Sequence, residues 1–497
     1  MTASNRAAAA AAVAEIKIYA RASHGRFTRL RWLTLWLTQL VFYGLPWLNW
    51  NGRQAVLFDL EARRFYLFNL VLYPQDFIYL TLLLIACALG LFLVTTLAGR
   101  VWCGFACPQT VYTKLFMWIQ RRFEGDRSAR MRRDAAPWST QGVLRKAGTR
   151  FTWISISLWT GFTFVAYFTP AQTLGTAVWS GGLGPWETFW ICFYALALYG
   201  NAGHLREQVC KHMCPYARFQ SAMFDRDTLI IGYDTRRGEP RAARNRTATS
   251  TNNTAVPTTS HASAPGTQTG GDCINCTLCV QVCPTGIDIR DGLQSNCIGC
   301  AACIDACDAV MDKIGAPRGL VRYATQNRLD ALPGPTGAAP VAATASALQW
   351  LRPLARPRVL VYTALLLVTL TGLAVGLAGR AALKVNVIRD RGVLSRVVDG
   401  GAVENIYRLQ LVNTREHSQA VRVEVRGQPG LSLAGGGRLE LALRPLEERS
   451  VPVTVRLAPA AQPSGHALAF SFRIQPLDSQ GTATPPIEEP SRFLLPN

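Results

Sequence analysis

The sequence predicts a multi-domain membrane protein: an α-helical transmembrane bundle of five spans, an inserted cysteine-rich domain and a C-terminal all-β sandwich. Three observations predict it. Five apolar stretches reach or approach the roughly 20 residues that a helix needs to cross a hydrocarbon core. Two runs of closely spaced cysteines lie between the fourth and fifth stretches. Beyond residue 381 the hydrophobic period changes to two. Composition agrees. Of 497 residues, 49% are hydrophobic and 17% charged, with 13 Trp and 21 Phe, which excludes general disorder, collagen and a coiled coil.

The first stretch runs from Trp32 to Trp50 and contains Pro46; the second, Phe77 to Ala98, has no charge. The third covers Phe151 to Phe168, the fourth Thr188 to Gly203, and the fifth Val359 to Leu377 between Arg356, Arg358 and Arg380. Loop charge orients them. Residues 99–150 carry a dense set of cations, from Arg100 and Lys114 through Arg121, Arg122, Arg130, Arg132 and Arg133 to Arg150, whereas 169–187 contains no Lys or Arg. The positive-inside rule then places the N-terminus, 99–150 and 204–357 in the cytoplasm, and everything after Arg380 outside. The alanine-rich start does not read as a cleavable signal, because Glu15 and Lys17 follow it without an apolar core.

The excess of 52 Lys and Arg over 31 Asp and Glu, a net +21, falls mostly in the membrane and cytoplasmic part. Orientation and contact with anionic lipid account for it. No recognition motif accompanies the charge, so nucleic acid is not an expected partner.

The expected organisation is therefore as follows: 1–30, a cytoplasmic N-terminal segment; 31–204, a four-helix membrane region; 205–240, a connector; 241–271, a Thr-, Ala- and Ser-rich flexible linker. Next come the cysteine domain at 272–328, a second linker at 329–357, the fifth span at 358–378 and the outer domain at 381–497. Asn245-Arg-Thr matches a glycosylation sequon on the wrong side of the membrane and carries no weight. Segments such as Ile406-Tyr-Arg-Leu-Gln-Leu-Val and Val421-Arg-Val-Glu-Val alternate between turn residues, the pattern of a β-sandwich. It holds no cysteine, so interaction or spacing is its expected job rather than catalysis.

Cys273, Cys276, Cys279 and Cys283-Pro284 make a C-x2-C-x2-C-x3-C-P run; Cys297, Cys300, Cys303 and Cys307 repeat it with Asp308 in place of proline. In bacterial ferredoxins such runs bind two [4Fe–4S] clusters, and the fourth cysteine of each run ligates the other cluster. This assigns Cys273, Cys276, Cys279 and Cys307 to one cluster and Cys297, Cys300, Cys303 and Cys283 to the second. Zinc sites use pairs separated by a longer loop, not triple runs with a fourth cysteine.

A second pattern sits at the membrane edge. Cys103-Gly-Phe-Ala-Cys107-Pro108 follows the second span and Cys210-Lys-His-Met-Cys214-Pro215 follows the fourth, at one common offset, as an internal duplication would give. Spacing i, i+4 is expected to put both sulfurs of a pair on one helical face. Four such thiols suit Cu(I), zinc or an iron–sulfur cluster; packing and a disulfide shuttle are the alternatives. His212 and Met213, inside the second pair, are copper-competent, and His204 is a weaker candidate. Cys87 and Cys192, in mid-span, read as packing residues.

At these residues the chain resembles a known family. Val101-Trp-Cys-Gly-Phe-Ala-Cys-Pro-Gln-Thr-Val-Tyr-Thr, Gln208-Val-Cys-Lys-His-Met-Cys-Pro-Tyr-Ala-Arg-Phe-Gln and Ile231-Gly-Tyr-Asp-Thr-Arg-Arg-Gly-Glu-Pro-Arg are similar to segments of the cytochrome c oxidase accessory proteins of the FixG/CcoG/RdxA type. So are the stretches that start at Cys279 and Met311. The likeness runs from about residue 16 to the end; the 241–271 insert departs from it.

The resemblance implies a bacterial inner-membrane, multi-pass protein with a ferredoxin-like domain in the cytoplasm and an Ig-like domain in the periplasm. It further implies a role in assembling cbb3-type cytochrome c oxidase, by reducing Cu(II) to Cu(I) for the haem–copper centre. The implied cofactors are two [4Fe–4S] clusters, with copper as substrate or transient ligand of Cys103, Cys107, Cys210 and Cys214. The implied partners are the membrane, oxidase subunits or their copper-delivery factors, and an electron donor that no G-x-G-x-x-G motif identifies. Two further functions fit the same residues: an electron-transfer subunit linking a quinol pool to another complex, and a non-catalytic assembly scaffold.

Overall fold

The computed structural model describes residues 18–137, 139–242, 271–330, 355–390, 395–398, 400–459, 466–477 and 485–496. Glu15, Lys17, the Asn245 sequon and most of both expected linkers lie outside the described residues. The chain forms two compact units, one within residues 1–62 and 80–372, the other within 63–79 and 373–497.

Helix α1 (Arg26–Gly44) lies earlier than the stretch 32–50, because Pro46 cannot continue a helix and opens a 3-10 turn instead. Helix α2 (Phe77–Ala98) has the expected bounds. Two helices follow: α3 (Val101–Phe105) is a little over one turn long, and α4 (Pro108–Glu124) ends at Gly125, whose φ of +82° few other residues tolerate. Helix α5 (Thr140–Val165) begins well before Phe151, with the Ser139 hydroxyl accepting from the Gly142 amide at 3.1 Å as its cap. Helix α6 (Pro185–Leu198) packs on α5 and continues as a π-helical segment, Tyr199–Leu205. The two helices meet at Gly161, where a Cβ would lie 2.4 Å from the Ile191 carbonyl oxygen. Helix α7 (Pro215–Met223) completes this part.

In the cysteine domain, strand β1 (Ile230–Tyr233) and helix α8 (Ala302–Ile314) precede strand β2 (Val321–Ala324). The strands pair antiparallel, with Ile230 opposite Ala324 and Tyr233 opposite Val321. A strand expected to be connector thus belongs to the cysteine domain. The flanks of the insert are joined as well: the Gly271 amide donates to the Pro240 carbonyl at 2.9 Å.

Helix α9 (Pro357–Ala378) corresponds to the fifth stretch. Among the described residues, two helices are long and apolar enough to cross a membrane, Pro74–Ala98 with mean hydropathy 2.7 and Pro357–Ala378 with 2.2. The other three expected spans form helices that fall short of that standard. Helix α1 starts with Arg26, Arg29 and Arg31, α5 is diluted by Ser, Thr and Gly, and α6 has 14 residues.

The second unit holds the sandwich. Its strands are β3 (Leu383–Arg389), β4 (Val403–Asn413), β5 (Gln419–Arg426), β6 (Leu431–Leu433), β7 (Arg438–Leu443), β8 (Glu448–Leu457), β9 (Ala467–Leu477) and β10 (Ile487–Leu494). One sheet has the order β6-β8-β4-β3 and the other β7-β5-β9-β10, with antiparallel neighbours throughout. Alternate residues point inward, and Tyr407, Leu409, Leu411, Val421, Val423, Phe472 and Phe493 are fully buried. The Tyr407 hydroxyl donates to the Arg492 carbonyl at 2.8 Å, so its burial strands no polar group.

Candidate functional site

The cysteine runs make short helices and tight loops rather than long elements. Glycines at positive φ (Gly286, Gly292 and Gly299) let the backbone turn back on itself around the thiols. Cys273, Cys276, Cys279 and Cys307 line one small cavity, with Ile274, Val310, Met311 and Leu320 as its apolar wall. Cys283, Cys297, Cys300 and Cys303 line a second, with Ile287, Ile289 and Ile298. Cys279 borders both cavities.

Burial pushes five of these thiols upward, Cys279 to about 11, Cys297 and Cys307 to about 12, and Cys283 and Cys303 in the same direction. Left alone they would be protonated, and only a soft cation would favour the thiolate. All fourteen cysteines are free of disulfides. Among the described residues no three His, Cys, Asp or Glu side chains converge closely enough to hold one metal ion. A zinc site needs four ligands within about 2.3 Å of one centre. Four thiols set around a cavity, with no nitrogen or oxygen ligand among them, match a multi-iron cluster in donor type and number.

The two C-x3-C-P pairs, expected at a membrane edge, differ from their expected form. Cys103 lies within α3, but Cys107 is the extended residue before Pro108 at the start of α4. Cys210 lies in a π-helical turn, Val209–Met213, and Cys214 is the extended residue before Pro215 at the start of α7. Proline at the first helical position forces the preceding residue out of helical geometry, so no pair shares one helical face. Each pair instead spans a helix break.

The four thiols are nevertheless neighbours. Burial pushes Cys103 up to about 11, and nearby Cys107 and Cys214 add to the effect. Burial likewise pushes Cys210 up to about 12, with Cys107, Cys103 and Cys214 contributing. The Cys103 thiol donates to Gln220 Oε1 at 3.3 Å. His212 and Met213 are exposed, Met213 at 60%. The His204 ring packs on Tyr199 and Trp153, and Cys87 and Cys192 are exposed on α2 and α6.

The three thiol groups adjoin in series. Cys210 packs with Val282, Ile298, Cys300 and Cys303 in one apolar cluster. Gly104, inside the first pair, lies so close to Gly299 and Cys300 that a Cβ there would be 2.6 Å from the Gly299 carbonyl oxygen. The buried Arg100 guanidinium donates to the carbonyl of Cys297 at 3.1 Å and to that of Ala217 on α7. The Tyr323 hydroxyl donates to the Gly299 carbonyl at 2.6 Å.

Sequence reasoning passed over Arg100, Gln220 and Tyr323 as site residues. A cation closing an uncharged span was visible at Arg100; Gln220 and Tyr323 carry no local signal.

Comparison with known proteins adds independent findings. Residues 205–326 match the family model of a 4Fe-4S dicluster domain, 80–125 that of a 4Fe-4S binding domain, and 373–496 that of the IG-like fold at the C-terminus of FixG. The chain is 37% identical over 442 residues to the nitrogen fixation protein FixG of Rhizobium meliloti (strain 1021), covering 85% of this chain and 81% of that one. It is 38% identical to protein RdxB of Cereibacter sphaeroides over 84% of this chain and 83% of that protein. To protein RdxA of the same organism it is 35% identical, over 95% of each chain.

Proposed function

The chain belongs to the FixG family of iron–sulfur proteins, and from that premise we propose that it is a membrane cupric reductase serving assembly of cbb3-type cytochrome c oxidase. In this reading Cys273, Cys276, Cys279 and Cys307 hold one [4Fe–4S] cluster, and Cys283, Cys297, Cys300 and Cys303 the other. Bound there, such clusters supply one-electron storage. Cys103, Cys107, Cys210 and Cys214 take copper as substrate, closing on the ion as it binds, since no three of them converge without it: Cu(II) accepts one electron and becomes Cu(I), which soft thiolates favour.

One observation carries the reading. Cys210 of the membrane-edge group packs against the same small apolar cluster, Val282, Ile298, Cys300 and Ala302, that Cys303 of the ferredoxin-like group packs against, which favours electron passage between the groups without a separate carrier. The chain's own contribution is to hold these groups in register. Arg100 fixes the Cys297 loop to α7, and Gly104 admits the Gly299 backbone at a distance no larger residue allows. Gln220 accepts from the Cys103 thiol and so orients its sulfur until a metal displaces the proton.

The membrane placement is part of the same proposal. Large apolar side chains face outward on α1, α2, α5, α6 and α9, among them Leu37, Leu84, Leu158, Leu196 and Val368. Soluble proteins rarely leave such surface exposed. We read these as five spans in a bacterial inner membrane, with the thiol groups on the cytoplasmic side and the sandwich in the periplasm.

The match of residues 80–125 to a 4Fe-4S binding domain favours a second reading, in which the membrane-edge cysteines ligate a further cluster. One experiment separates the two. Cys210→Ser protein, purified without oxygen, is compared with wild type for iron, copper uptake and the electron paramagnetic resonance of the clusters on adding Cu(II). The reductase reading expects unchanged iron and loss of copper-driven cluster oxidation. Loss of iron favours the further cluster; unchanged copper reduction sinks the copper assignment.

A further inference from the structure

Beside the second thiol group lies a cavity of about 670 Å³ that the copper reading does not use. Its size falls in the range of small-molecule sites, roughly 300–1,000 Å³. Six cations line it: Arg21, Arg29, Arg31, Lys114, Arg121 and Arg122. Among the described residues none of them stands in an ion pair. Two acids face them. Asp126 accepts from the Ala22 amide at 3.3 Å, and both carboxylate oxygens of Asp305 accept from Phe27 and Thr28.

Arg31 and Lys114 are 8% and 7% exposed, and holding two neighbouring cations buried is costly when the Asp305 carboxylate near Lys114 is already bonded to Phe27 and Thr28. Burial, then the charge of Arg31, pushes Lys114 down to about 7. An anion in the cavity would relieve that repulsion. Guanidinium groups favour phosphate oxygens, which they meet with paired hydrogen bonds. Trp32 and Trp118 meet edge to face at 5.9 Å on the same wall and offer apolar surface for the organic part of such a ligand.

We propose that this cavity is a binding site for a phosphate ester, held by the six cations and seated against the backbone that carries Cys283 and Cys303. Val282 and Pro284 flank the first of those cysteines, Ala302 precedes the second, and all three line the cavity. Two sources share this chemistry: a soluble nucleotide, which would lie beside the second thiol group, and an anionic phospholipid, whose headgroup would fix that group at the bilayer edge.

The test is calorimetric titration of the full-length protein in lipid-free detergent with pyrophosphate, flavin mononucleotide and short-chain phosphatidylglycerol. Phosphatidylcholine serves as the zwitterionic control. Arg29 and Arg122 are exposed, so the Arg29→Gln/Arg122→Gln variant should keep its fold, which unchanged iron content verifies. The site predicts saturable binding that weakens about tenfold in the variant and falls with added salt. Binding of pyrophosphate or the flavin identifies a soluble ester, and binding of phosphatidylglycerol alone identifies the lipid. If no probe saturates, or if wild type and variant bind equally, the proposal is overturned. Because the readout is binding rather than copper reduction, either result is independent of the copper reading.

Discussion

Cys307 lies in the second cysteine run yet lines the cavity of the first, beside Cys273, Cys276 and Cys279. Replacing it with serine therefore tests which cysteines share a cluster. The Cys307→Ser protein should fall from about eight to about four irons per chain and lose the first cluster's resonance signal. Full iron with both signals retained would sink the crossed assignment. This grouping was legible in the sequence because two-residue gaps and a fourth cysteine have a known geometric consequence. Arg100, Gln220 and Tyr323 were not legible as site residues. Arg100 showed only as a cation closing an uncharged span, and each of the three meets its partner across a long stretch of chain, which the spacing of one motif does not reveal. The i, i+4 reading of the pairs failed for a local reason: Pro108 and Pro215 act on the residue before them and break the shared face.

The start of α1 shows how elements of the first unit are joined. Its first amides have no partner within the helix. Asp305, between Cys303 and Cys307, accepts from the Phe27 amide at 3.1 Å and from the Thr28 amide and hydroxyl at 2.6 and 2.7 Å. Gly25 is needed there, since a Cβ would lie 2.4 Å from the Asp305 carboxylate. The cysteine domain thus caps the helix that carries Arg29 and Arg31. Removing a helix cap costs about 0.5–2 kcal/mol, so Asp305→Ala should lower the temperature at which cluster absorbance is lost, whereas Asp305→Asn should recover most of it. Equal midpoints for wild type and Asp305→Ala would show that the contact does not hold the two elements together. Nothing in the sequence announced this contact, because Asp305 reads locally as an ordinary polar residue on α8. The helices themselves were legible from apolar length, but their ends moved to wherever proline, glycine or a capping serine dictated.

At the scale of the whole molecule, the two most apolar helices constrain how the proposed spans would cross a bilayer. In the first unit Phe92, late in α2, lies beside Tyr362, early in α9, and Arg356 donates to the Thr96 carbonyl at 3.2 Å. In the second, the Tyr79 hydroxyl donates to the Gly376 carbonyl at 3.0 Å, and buried Asp76 pairs with Arg380 at 2.8 Å and Lys384 at 2.5 Å. Start meets end at both places, so α2 and α9 run antiparallel. On the proposed membrane reading, loop charge predicts that the end of α2 is cytoplasmic, since the cations of 99–150 follow it and 169–187 has no Lys or Arg. An antiparallel α9 would then carry the chain out, with residues after Arg380 outside the cytoplasm. On that reading the buried ion pairs of Asp76 would lie at the opposite, outer end of both helices. A phosphatase fused after residue 497 should accordingly be active outside the cytoplasm, and one fused near residue 260 should be inactive there. Activity of the 260 fusion together with silence of the 497 fusion would reverse the orientation, and activity of both would mean that the chain between them crosses an even number of times.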